Sequence, residues 1–310
     1  MKLAFFNDYK LGVAKGESIV DVSDVVADIH AHAPQEVLRA LIENFDTYRG
    51  KLEEAAASRE GTPLNQVDIK SPVPKPYSIV AMAVNYMEDG TRSEPAPINA
   101  FLKPATSVIG DGDTMVLQDI PSTIFEAEAE MAMVVGKMAK DVSADNWADY
   151  IFGYVNFIDG SARGLQPGQG NTFYQMKARD TYCPMGPFLV TADEIPDPQN
   201  LQVRLWVNER LTQNYNTNDM AHQIPRVVEW VSSVQTLEPG DVIATGTNHR
   251  GLSAFQDGDK IEMEVDGLGR LHFNVRDDLK RGWGRDTRLD MQNKGVDGTT
   301  PQLTGKYASN

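Results

Sequence analysis

IFEAEAEMAMVVGK, residues 124–137, is the stretch on which the reading of this chain turns. It sets carboxylates at Glu126, Glu128 and Glu130 and then runs into apolar residues. On a helix, residues two apart diverge by about 200°, which would scatter the three acids around the cylinder into solvent. On a strand, residues i, i+2 and i+4 share one face, so all three would point the same way. Met131–Val135 is rich in apolar and β-favouring side chains and stops at Gly136, which suits a short buried strand. We therefore read a strand, with a solvated, acidic and Ala-rich helix start as the other reading the stretch allows. Three carboxylates on one half-buried face repel one another unless they take up protons or share a cation.

The composition bounds what such a face is for. With 41% hydrophobic and 24% charged residues, a chain of 310 residues is globular and long enough to bury a substantial core. Its 29 basic residues against 44 acidic ones leave a net charge of −15, which repels nucleic acid and anionic membranes. Neither is expected as a partner. The single cysteine, Cys183, excludes an internal disulfide framework and fits a reducing compartment. No apolar run approaches the roughly 18 residues of a membrane span, and the opening MKLAFFNDYKLG is too short in its apolar part for a signal peptide. A soluble, cytoplasmic protein is the expectation.

Residues 1 to about 68 mix strand-like pieces (LAFF, SIVDV) with apolar residues at helical spacing between Gln35 and Ala57. SPVPKPYSIVA then brings Pro72, Pro74 and Pro76, which break helices and favour extended backbone. The expected division is a small N-terminal domain over residues 1–75, a larger domain over 76–284 and a C-terminal arm or disordered tail over 285–310. Within the larger part, turn signals (GDGD, EPGD, QDGD, DGLG) separate short strands. KIEMEV and RLHFNV alternate around DGLG and predict a hairpin. An amphipathic helix is predicted over Ile224–Val234, after the capping-type Asn218 and Asp219. There is no internal repeat and no Gly-rich phosphate loop.

A further acid, Asp159, sits at the end of the apolar FGYVNFI just before Gly160, at what reads as the tip of a buried strand. A Glu pair and an Asp, all oxygen donors, suit Mg²⁺, Mn²⁺ or Ca²⁺ rather than zinc. Glu-x-Glu alone is a common pattern, and an Asp at a strand end is often a turn former.

Read in order, AVNYMEDG, FLKPATSVIGDGD, EAEMAMVVGK, GYVNFIDGSARGLQ, MKARDTYCPMGPFLVTADEIPDPQNL, LWVNERLTQNYNTNDM and LEPGDVIATGT resemble the successive signatures of the fumarylacetoacetate hydrolase family, from about Ser78 to Val275. The resemblance implies an α+β protein whose larger domain is a rolled, mixed β-sandwich, and a homodimer. It implies that Glu128, Glu130 and Asp159 are the divalent-metal ligands and that Glu126 is not. It puts Lys177 at an active-site lysine, needed for chemistry more than for folding. Thr247 falls at a threonine that helps hold the substrate carboxylate. Arg163, Gln166 and Lys103 fall at the substrate pocket, Lys103 at its wall or behind it. Cys183 falls in a stretch that the family uses structurally and reads as a buried, inert thiol.

The chain also departs from the pattern. Many members carry a histidine shortly after NY and a glutamate one helical turn on, as a water-activating pair; here those positions hold Asp89 and Arg92. No histidine occurs between His32 and His222. The substitute candidates for the base are His249, next to Thr247 in ATGTNHRGL, and the carboxylates of Glu88 and Asp89 in a loop that could act as a lid. A loop histidine without a role is the other reading of His249, and His222 reads as a packing residue at a helix entry. The activity implied is metal-dependent cleavage of a carbon–carbon bond in a small acylpyruvate or diketo acid through a metal-stabilised enolate. Decarboxylation of a β-keto acid and isomerisation or hydration of an oxo acid use the same chemistry, and a metal-binding scaffold without catalysis is the reading from another class.

Overall fold

The computed structural model describes residues 1–165 and 172–308. The stretch 124–135 is a strand, Ile124–Val135, buried along its whole length. Its antiparallel neighbour, Ile151–Arg163, pairs with it from Ile124↔Arg163 to Val135↔Ile151. Asp159 thus lies inside a strand and not at its tip. The strand runs on because Gly160 leaves room for the chain packed over it: a Cβ there would come within 2.2 Å of Met115 and 2.8 Å of Tyr182.

Period-two alternation sorts the acidic strand into two faces. Ala127, Ala129, Met131 and Met133 join one core with Leu205, Met263 and Phe273 of a second sheet. The other face carries Glu126, Glu128 and Glu130 and continues as Ala132 and Val134, which join a second core with Phe157 and the helical Leu38, Leu41 and Leu52. The carboxylates therefore occupy one end of a face whose other end is apolar.

Twelve strands among the described residues form the main sheet. Beyond the acidic strand come Val242–Ala244, then Ile79–Met82 parallel to it, then the edge strand Ala100–Lys103. On the other side Cys183–Thr191 follows Ile151–Arg163. Residues 1–75 join there edge to edge: Leu3 pairs with Leu189, and the Lys10–Lys15 and Ser18–Asp21 strands continue the sheet. The second sheet has five strands and contains the predicted hairpin, Lys260–Val265 with Arg270–Arg276.

The helical stretch expected over 35–57 is two helices, Pro34–Glu43 and Phe45–Ser58. They break at Asn44, whose side chain donates to the Ala40 carbonyl and so competes with the helix backbone. Helix Ile224–Val234 forms where predicted, but its N-cap is Gln223 with Pro225 in the first turn. Asn218 and Asp219 lie in a preceding 3-10 turn. The C-terminal stretch, aperiodic in sequence, contains a six-residue helix, Arg288–Asn293, closed by a capping box between Thr287 and Asp290. A strand, Gln302–Thr304, pairs with Gly282–Trp283. A helix this short offers too few turns for periodicity to reveal it. No helix among the described residues is long and apolar enough to cross a membrane.

Candidate metal centre and active site

Register brings the acids together. Glu128 stands directly across from Asp159, and Glu130 is two residues further along the same face. One oxygen from each of Glu128, Glu130 and Asp159 lies within 4.8 Å of the others, and all three residues are buried. The Gly246 amide donates to Glu130 Oε2 at 2.7 Å. Glu130 Oε1 is buried with no partner among the described residues. Burial, and then the charges of Asp159 and Glu128, push the Glu130 carboxyl well above the usual carboxylate range. Burial acts the same way on Glu128, but the Lys177 ammonium and then the Arg163 guanidinium outweigh it and hold that carboxyl well below the range. A hard divalent cation would relieve the repulsion and give the orphaned Glu130 oxygen a partner, so the residues present fit an ion of the Mg²⁺, Mn²⁺ or Ca²⁺ type.

Two lysines back the cluster. Lys177, the last residue of helix Phe173–Lys177, is buried and donates to Glu128 Oε1 at 2.9 Å and to Asp159 Oδ2 at 2.5 Å. Lys103, at the end of the edge strand, donates to Asp159 Oδ1 at 2.6 Å, to the Lys177 carbonyl at 2.8 Å and to the Gly160 carbonyl at 3.5 Å. With all three ammonium donors engaged, Lys103 sits behind Asp159 and has none to offer a substrate. Thr247, also expected at the substrate, is buried, and its hydroxyl accepts from Gln213 Nε2 at 2.8 Å.

Glu126 lies outside the triad, as the resemblance implies, and has a different partner set. Arg163 Nε donates to its Oε2, and Arg288 from the C-terminal helix donates to both oxygens, Oε1 at 3.0 Å. Burial opposes ionisation, yet the two guanidinium groups hold the Glu126 carboxyl below the ordinary range. Arg163 Nη2 also donates to Glu128, so this residue bridges the metal cluster and the mouth of the site.

That mouth is a cavity of about 350 Å³ lined by Glu88, Arg92, Arg163, His249, Arg250 and Arg288 among others. His249 and Glu88 were separate candidates for the base, and here they form one unit. Glu88 Oε1 lies 2.7 Å from His249 Nδ1, and Glu88 Oε2 accepts the His249 amide at 2.8 Å. A carboxylate partner at Nδ1 favours the tautomer with its proton on that nitrogen. Asp89 turns away to Arg250 at 2.9 Å and is exposed. Glu88, Asp89 and Gly90 all have positive φ, a run that holds this loop in a tight left-handed turn. His222 Nε2 meets the Ala96 carbonyl at 2.8 Å, a structural contact. Cys183 is fully buried, and burial pushes its thiol up to about 12. Gln166 lies outside the described residues. Gln213 and Arg288 went unnoticed in sequence, the first because a polar side chain on an alternating strand reads as solvent-facing.

The profile of the fumarylacetoacetate (FAA) hydrolase C-terminal region matches residues 78–276. The chain belongs to the fumarylacetoacetate hydrolase family. Among its relatives within the family, a maleylpyruvate hydrolase of Aquipseudomonas alcaligenes is 32% identical over 294 residues, spanning 89% of this chain and 99% of the relative. An oxaloacetate tautomerase of Rattus norvegicus is 35% identical over 218 residues, 67% of this chain and 69% of the relative. The crystal structure of maleylpyruvate hydrolase from Sphingobium sp. SYK-6, in complex with manganese(II) and pyruvate, superposes with a TM-score of 0.80 at 36% identity, covering 89% of this chain and 99% of that one. The α+β fold expected from the family holds.

Proposed function

We propose that this chain is a divalent-metal-dependent hydrolase that cleaves a carbon–carbon bond in a small acylpyruvate or related diketo acid. The observation that carries the reading is one juxtaposition. Glu128, one of three clustered buried carboxylates that include an orphaned oxygen, accepts from Arg163, and Arg163 lines the same cavity as the His249–Glu88 pair. A solved relative holding manganese(II) and pyruvate supports it, since pyruvate is what hydrolysis of an acylpyruvate releases.

Glu128, Glu130 and Asp159 would hold the ion, which when bound supplies Lewis acidity toward an oxo acid. His249 Nε2 takes a proton from water, and the oxygen adds to the acyl carbonyl carbon. The bond from that carbon to the pyruvate arm breaks, the electron pair passes to the arm, and the imidazolium returns the proton there. Glu88 keeps the imidazole in the required tautomer and stabilises its charged form. Lys177, buried against Glu128 and Asp159, adds positive charge beside the developing oxyanion.

The tautomerase relative supports a second reading, in which His249 only moves a proton between carbon and oxygen of an oxo acid. The two separate in one experiment. The protein is stripped with EDTA, reloaded with Mn²⁺ or Mg²⁺, and offered acylpyruvates and enol-oxaloacetate. Metal-dependent pyruvate release from an acylpyruvate is expected. Interconversion of oxaloacetate tautomers without any pyruvate release favours the second reading, and metal binding with no turnover of either would leave a scaffold.

A further inference from the structure

Four arginines ring the mouth of the site, and three are committed. Arg163 and Arg288 are held by Glu126, and Arg250 by Asp89. Arg92 is the exception. Among the described residues its side chain makes no hydrogen bond, and its one ion-pair contact is Glu88, at 3.8 Å from Nη2. Its Nε is buried and unpartnered. At 3.8 Å that contact is an ion pair outside hydrogen-bond reach, while the two oxygens of Glu88 lie at 2.7 and 2.8 Å from His249 nitrogens.

Arg92 is also held in place. Its amide donates to the Met87 carbonyl at 3.1 Å, closing the left-handed turn through Glu88, Asp89 and Gly90. That turn is anchored in turn to Asp219, which accepts the Met87 amide on its carbonyl at 2.9 Å and the Asp89 amide on its carboxylate at 3.0 Å. A guanidinium on a tied loop, facing a cavity with open donors, is prepared for a planar anion. A carboxylate can take two parallel N–H bonds from it, which a water cannot replace in kind.

We propose that Arg92 selects oxo acids that bear a second carboxylate, on the arm reaching away from the metal ligands, by pairing with that distal group. The inference rests on the metal-centred reading above, in which the oxo-acid end of the substrate is held by the ion. It makes Arg92 a specificity residue and the natural substrate class dianionic, of a size that a cavity of about 350 Å³ admits.

The test uses matched ligands that differ only in the distal group: 2-oxopentanoate against 2-oxoglutarate, and 2-oxohexanoate against 2-oxoadipate. Binding to the full, Mn²⁺-loaded chain is measured by calorimetry for the wild type, Arg92→Met and Arg92→Lys. In the wild type at least one dicarboxylate should bind about tenfold or more tighter than its monocarboxylate partner, the scale of one charge-assisted bidentate contact. Arg92→Met should bring the pair within about twofold while leaving the monocarboxylate unchanged, and Arg92→Lys should retain part of the preference. The proposal is overturned if neither pair shows a preference, if Arg92→Met keeps it, or if both members weaken equally, which is what a merely structural role beside Glu88 would produce. If the monocarboxylates themselves fail to bind the wild type with Mn²⁺ present, the metal-centred reading fails first and this one with it.

Discussion

At the scale of single residues, the proposed base is a pair, His249 with Glu88 at its Nδ1. His249→Asn should lower turnover by roughly 10²- to 10⁴-fold with Mn²⁺ affinity intact, because the variant loses proton transfer and none of the carboxylate oxygens. Glu88→Gln should fall between the wild type and that variant, since an amide still accepts from Nδ1 but no longer stabilises the imidazolium; Asp89→Asn should keep the full rate. Steady-state kinetics on the four proteins checks the order, and an inactive Asp89→Asn beside an active His249→Asn would reverse the assignment. Lys177 reads differently once its surroundings are known. Buried between Glu128 and Asp159, it offsets their charge. Lys177→Met should therefore cost the metal-free protein stability, about 3 kcal/mol for a broken buried pair, and metal should restore much of it. Denaturant titrations with and without Mn²⁺ would show the gap, and equal losses in both would argue against this role.

At the scale of elements, the acidic strand performs two tasks with one face. Glu128 and Glu130 are proposed ligands of the ion, whereas Glu126 ties Arg163 and the C-terminal helix to the sheet. Glu126→Gln should leave metal affinity within about tenfold of wild type and still destabilise the metal-loaded protein by roughly 2–3 kcal/mol, because two partly buried guanidinium groups lose their counter-charge. Glu130→Ala should show the opposite pattern, with metal binding lost in a folded protein. Calorimetric metal titration beside urea denaturation distinguishes them. The neighbouring strand sets a steric condition as well: with Met115 and Tyr182 against Gly160, Gly160→Ala should cost about 1–3 kcal/mol by overpacking and weaken metal binding by displacing Asp159.

At the scale of the whole molecule, a bound ion would add to the fold's stability, since a ligand that binds only the native state stabilises it by mass action. At a hundredfold excess over its Kd the gain is about 2.7 kcal/mol, which for a chain of 310 residues is a rise in Tm of roughly 4 °C. Thermal melts with Mn²⁺ should show that rise and EDTA should remove it. The alanine variants of Glu128, Glu130 and Asp159 should show no shift, and a wild-type response in all three would place the ion elsewhere.

The sequence by itself determined whatever depends on neighbours along the chain. Alternation put Glu126, Glu128 and Glu130 on one face, DGLG between alternating runs made the Lys260–Arg276 hairpin, and spacing made helix Ile224–Val234. The order of short motifs was enough for the family. Tertiary structure alone decided which of these elements meet. Glu88 reaches His249 across 161 positions and Arg288 reaches Glu126 across 162, and no periodicity links residues so far apart. Local patterns state which face of an element is buried but not what it is buried against. That depends on strand register and on how the tail packs, so the pairing of the base and the open donors of Arg92 became visible only once the sheet had closed around them.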